Sequence, residues 1–130
     1  MAAKVLSVLL VDDNQDTRDM LKLLFEEWGY SATLVSTATE GLKQLLARSF
    51  DIIILDNWLP DLDGVELCRQ IREFNRSTPI IFYSAASMGS EDRAALAAGA
   101  NAYLYKGDGL GGLREAMAVE IKKANPQPRD

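Results

Sequence analysis

Apolar residues along the chain fall into two alternating patterns: short β-branched or leucine-rich runs, and stretches where apolar positions recur every three to four residues. The run Val5–Val11 predicts a strand. Next, Leu21, Leu24, Phe25 and Trp28 fall at i, i+3, i+4 and i+7 on one helix face, with Gly29 placed to end it. Ala32–Val35 predicts a weaker strand. Thr37-Ala38-Thr39-Glu40 has capping-box spacing, and Ala38, Leu42, Leu45 and Leu46 continue it as a helical stripe. Ile52-Ile53-Ile54-Leu55 is apolar on both faces, which suits a parallel strand covered by helices on two sides. Beyond Pro60, Asp63 caps a helix carrying Leu67, Cys68 and Ile71. Pro79 opens a strand over Ile80–Tyr83, and Ser90 caps a short alanine-rich helix ending at Gly99. Tyr103-Leu104-Tyr105 reads as a fifth strand, and Leu113, Met117 and Ile121 mark a last helix.

Strand and helix alternating five times predict an α/β fold. Its form is an open, doubly wound five-stranded parallel sheet with right-handed crossovers and helices on both faces. The length of 130 residues fits one domain, here residues 1–124. Residues 125–130 contain two prolines, cannot continue a helix, and read as a tail or linker stub. The composition, 48% hydrophobic and 25% charged, is that of an ordinary globular chain.

Charge and rare residues narrow the chemistry. With 14 Lys and Arg against 19 Asp and Glu, the net charge of −5 opposes direct nucleic-acid binding. A single cysteine excludes a disulfide framework and a cysteine-rich zinc site; Cys68 reads as a small buried hydrophobe within its helix. The absence of histidine removes imidazole triads and histidine metal ligands. Val5–Val11 is interrupted by Ser7 and closes on Asp12 and Asp13, too short to cross a bilayer, so a cytoplasmic protein is expected.

In open parallel sheets, ligands bind beyond the carboxyl ends of the strands. Those ends carry Asp12-Asp13, Ser36, Asp56, Ser84 and Lys106, in strand order. Three carboxylates, a hydroxyl and an ammonium thus converge on one edge. At about 5 Å and an effective dielectric near 20, each carboxylate pair repels by roughly 3 kcal/mol. A proton, Lys106 or a divalent cation would relieve this, and a histidine-free set of oxygens suits Mg²⁺, which usually also meets a phosphate. Other occupants of such sheets fit poorly. The acidic loop Asp12-Asp13-Asn14-Gln15-Asp16 repels the phosphate of a flavin. There is no P-loop. Asp12-Asp13-Asn14 also lacks the Asp-x-Asp of haloacid-dehalogenase-type phosphatases.

From Val5 to about Lys123 the chain resembles the receiver domains of two-component response regulators, the CheY-like superfamily. The resemblance rests on Leu-Leu-Val-Asp-Asp-Asn (9–14), Ile-Ile-Leu-Asp-Asn-Trp-Leu-Pro-Asp-Leu-Asp-Gly (53–64), Ser-Ala (84–85) and Gly-Ala-Asn-Ala-Tyr-Leu-Tyr-Lys (99–106). It implies a flavodoxin-like (βα)5 sheet in the order 2-1-3-4-5. It further implies that Asp56 accepts a phosphoryl group from a sensor histidine kinase or histidine phosphotransfer protein, the chain having no histidine of its own to carry one. Asp13, Asp56 and the backbone carbonyl of Trp58 would bind Mg²⁺ directly, and Asp12 largely through water. Lys106 and Ser84 would contact the phosphoryl oxygens. Ser84 and Tyr103 would act as the switch, changing the face made by helix 4, strand 5 and helix 5. A downstream effector or fused output domain would read that face, with a homodimer among the assemblies admitted. The resemblance implies a switch module and not an enzyme with a separate substrate.

Three departures from the family pattern qualify the expectation, and one loop is neutral toward it. Receivers usually have a cis proline after the lysine, whereas this chain has Gly107, and a cis bond without proline costs about 2.5–4 kcal/mol. A trans Lys106–Gly107 bond is therefore expected, and four glycines between 107 and 112 burden the start of the last helix. If that loop displaced Lys106, the alternative would be a protein-interaction domain of receiver fold that works without phosphorylation. Trp58 either shields the phosphoryl group with its indole or simply covers the loop. Tyr105 alternates to the same side as Tyr103 and competes for the switch role. Small residues at Ala85, Ala86, Ser87 and Gly89 suit a loop free to move, as they suit any surface loop.

Overall fold

The computed structural model describes residues 4–85 and 89–125, the side chain of residue 90 excepted; Ala86, Ser87 and the tail beyond Asn125 lie outside the described residues. Five strands, β1 (Ser7–Val11), β2 (Ser31–Val35), β3 (Ile52–Leu55), β4 (Ile80–Ser84) and β5 (Ala102–Tyr105), form one sheet in the order β2-β1-β3-β4-β5. Every pairing is parallel. The intervening helices are α1 (Gln15–Glu27), α2 (Ala38–Ala47), α3 (Gly64–Phe74), α4 (Ser90–Ala97) and α5 (Gly111–Ala124), and a short 3-10 turn spans Lys106–Asp108.

Residues of the central strands alternate between two cores. Leu9, Val11, Ile53, Leu55, Ile80 and Phe82 pack on one face with Leu67, Cys68 and Ile71 of α3. Val8, Leu10, Ile52, Ile54, Ile81 and Tyr83 pack on the other with Leu21 and Phe25 of α1 and Leu113, Met117 and Ile121 of α5. Cys68 is buried as expected, and burial pushes its thiol up to about 11.

Most elements lie where the pattern puts them, with local differences. Val5 is 63% exposed and the strand begins at Ser7, because apolar character alone does not bring a residue under a helix. Leu46 is 73% exposed. Ala38, Leu42 and Leu45 already complete the inward stripe of α2, and Leu46 lies about 100° further round. The cap of α4 is Gly89, not Ser90: at φ 138° its N–H donates to Asp92 Oδ1 at 3.0 Å, so the helix starts one residue earlier than a serine cap would place it. That helix ends at Ala97, two residues before Gly99. β4 runs on to Ser84 and β5 begins at Ala102. Among the described residues no peptide bond is cis, Lys106–Gly107 included, and no helix is long and apolar enough to cross a membrane.

Candidate functional site

The carboxyl ends of β1, β3, β4 and β5 bring Asp12, Asp13, Asp56, Ser84 and Lys106 to one edge of the sheet, as the strand-end reading expects. A ligand oxygen from each of Asp12, Asp13 and Asp56 lies within 4.8 Å of the others. Asp13 is exposed, whereas Asp12 is fully buried and Asp56 nearly so.

Asp12 is fixed from three sides. Its Oδ2 receives Lys106 Nζ at 2.8 Å, its Oδ1 accepts the Asn14 N–H at 2.9 Å, and its carbonyl accepts Arg18 Nη1 at 2.9 Å. Lys106 Nζ also stands 3.7 Å from Asp56 Oδ2. The Gly107 loop therefore leaves Lys106 in the site, and the displacement required by the phosphorylation-independent alternative has not happened. Burial alone would lower the Lys106 pKa; the Asp12 hydrogen bond and the charges of Asp56 and Asp12 outweigh it and raise the net value.

Asp56 is raised above the ordinary carboxylate value, first by burial and then by the charge of Asp12. Lys106 and the N–H groups of Asn57 and Trp58 oppose the rise. The Asn57 N–H donates to Asp56 Oδ1 at 2.7 Å. That carboxylate is held in a partly desolvated position, beside the paired Lys106 amine and Asp12 carboxylate.

Ser84 is fully buried at the end of β4. Burial raises the Tyr103 pKa, while hydrogen bonds with the Ser84 and Asn57 side chains pull it back. The Tyr103 ring stacks on Phe82 with centroids 5.7 Å apart. Tyr105 is placed differently, its ring lying against the backbone of Gly107. Trp58 is 59% exposed and lines a groove of about 310 Å³ with Asn57, Asp63, Val65, Glu91 and Ala94.

Three contributors had no distinct signal in the sequence. Asn57 is buried between Asp56 and Tyr103, inside a motif where only its neighbours stand out. A Cβ on Gly64 would lie 2.2 Å from the Asp56 carbonyl oxygen, so α3 must begin with glycine to close the loop below the site. From that same loop Asp61 accepts the N–H groups of Ala38 and Thr39 at 2.9 Å and caps α2.

The model of the response regulator receiver domain family matches residues 8–118. The chain belongs to that family. Among known proteins, this receiver domain is 38% identical over 117 residues to the KDP operon transcriptional regulatory protein KdpE of Escherichia coli K12, covering 90% of the chain and 52% of that relative. The receiver domain thus spans about half the length of the curated relatives it matches. A CheY-like receiver structure from Methanospirillum hungatei JF-1 superposes with a TM-score of 0.88 at 26% identity, covering 93% of this chain and 97% of the other. The receiver domain of sensor histidine kinase PA1611 of Pseudomonas aeruginosa PAO1, solved with a magnesium ion coordinated in its active-site cleft, gives 0.83 at 29% identity, covering 91% and 98%.

Proposed function

We propose that this receiver domain accepts a phosphoryl group on Asp56 and passes the event on as a change of surface. One observation carries the reading: a desolvated Asp56 carboxylate whose oxygen stands 3.7 Å from a half-buried lysine amine, within a cluster of three acids. An Asp56 oxygen would attack the phosphorus of a phosphohistidine on a sensor kinase or phosphotransfer protein. The P–N bond then breaks, its electron pair stays on the imidazole nitrogen, and an acyl phosphate forms on Asp56.

The all-oxygen donor set fits Mg²⁺. Asp13, Asp56 and the Trp58 carbonyl would hold it, with Asp12 acting through water, and it would supply positive charge to the phosphoryl oxygens. Lys106 would leave part of its contact with Asp12 to pair with one of those oxygens, and the Ser84 hydroxyl would donate to another. Tyr103 shares hydrogen bonds with Ser84 and Asn57, so a shift of the Ser84 hydroxyl reaches it directly. The α4–β5–α5 face would carry the change to an effector protein, a fused output domain or a second copy. In this reading the domain acts in the cytoplasm as a switch with no substrate beyond its phosphodonor.

Incubation with acetyl phosphate and Mg²⁺, followed by intact mass, tests it. The expected result is an increment of one phosphoryl group that Asp56→Asn abolishes; an unchanged wild-type mass overturns the reading.

A further inference from the structure

The sharpest departure of this chain lies beside Lys106. Gly107 is not among the glycines of positive φ, so its backbone conformation does not require glycine. The neighbouring space is filled by Tyr105: a Cβ on residue 107 would lie 2.2 Å from Cε2, 2.6 Å from Cζ and 2.9 Å from Cδ2 of that ring, so a side chain there would have to displace it. The ring therefore occupies the space a side chain at 107 would need. Both residues flank Lys106, which opens the 3-10 turn closed by the Gly109 N–H on its own carbonyl at 3.3 Å. Tyr105 in turn ends β5, where it pairs in register with Ser84.

Resting on the phosphoacceptor reading, we propose that Tyr105 is a positioning residue for Lys106: its ring, seated on Gly107, clamps the loop so that the amine meets Asp12 and Asp56. A lysine side chain is long and loses conformational freedom when fixed. Four glycines between 107 and 112 leave the following segment little rigidity of its own. The ring supplies the missing restraint, and the contact depends on the ring carbons and not on the hydroxyl. Tyr103, stacked on Phe82, leaves Tyr105 free for this separate task.

A double-mutant cycle in the full chain with Tyr105→Ala, Gly107→Ala, both together, and Tyr105→Phe tests the clamp. Two readouts are taken: the acetyl phosphate phosphorylation rate, and the acetylation of Lys106 by acetic anhydride without phosphodonor, read by peptide mass against exposed Lys22 and Lys43. Tyr105→Ala is expected to slow phosphorylation about tenfold and raise Lys106 acetylation severalfold. Gly107→Ala should act in the same direction by pushing the ring aside. The double variant should be no worse than Tyr105→Ala, and Tyr105→Phe should match wild type. Additive effects, or an unresponsive Tyr105→Ala, overturn the clamp even if the wild type is phosphorylated. A coupled acetylation cycle in a chain that takes no phosphoryl group would uphold the clamp and overturn only the phosphoacceptor reading.

Discussion

Lys106 and Asp12 make an ion pair in which the carboxylate side chain has no contact with solvent and the lysine side chain retains 20% exposure. Such a pair need not add net stability, but removing one partner strands a buried charge. Lys106→Ala should therefore destabilise the protein by about 3 kcal/mol at neutral pH, measured by urea unfolding. The raised Lys106 pKa means that its contribution is fully present below the unfolded value and is lost only in alkaline solution, as pH rises through the folded one. These residues were legible in the sequence because they stand at strand ends, where parallel topology gathers whatever the chain places there. Asn57 and Gly64 were not, since their parts depend on how closely two pieces of one loop approach. Gly64→Ala forces a methyl group onto the Asp56 carbonyl, an atom with no freedom to rotate away. It should cost about 2 kcal/mol in the same unfolding assay and slow phosphorylation of Asp56 by displacing it.

At the scale of elements, α2 is tied to the loop after β3 by Asp61. Its carboxylate accepts from Ala38 N–H, Thr39 N–H and the Thr39 hydroxyl, the last at 2.7 Å. The Thr39 side chain first, and these N–H groups after it, hold the Asp61 pKa at about 2 against an ordinary 3.8. A depressed carboxylate contributes stability above its unfolded pKa and loses it as pH falls through the folded value. Asp61→Asn should thus flatten the fall in melting temperature as the pH drops from 3.8 to about 2. Because Asp61 is exposed, the loss at neutral pH should be about 1 kcal/mol or less, read by thermal unfolding across that range. No local pattern announces this cap, since donor and acceptor are 22 and 23 residues apart. Within elements, by contrast, periodicity served well: β3 falls on the predicted residues, and Leu113, Met117 and Ile121 are buried together on α5. The misplacements at Leu46 and Ser90 arise where two neighbouring residues satisfy the same local rule and only the tertiary surroundings choose between them.

Over the whole molecule, a site of three acids and one lysine remains electrostatically incomplete, and a bound cation would be linked to folding. Mg²⁺ at 100 times its dissociation constant should raise stability by about 2.7 kcal/mol, seen as a higher melting temperature that Asp13→Asn largely removes. The functional edge occupies one pole of the sheet. At the other pole a groove of about 530 Å³ is lined by Lys4, Leu6, Tyr30, Asp51, Ile121 and Asn125 among others. Lys4, ahead of β1, and Asn125, which follows α5, thus share one groove. A change at the acidic edge must therefore travel the length of the strands, or over the helices beside them, before it is felt in this groove.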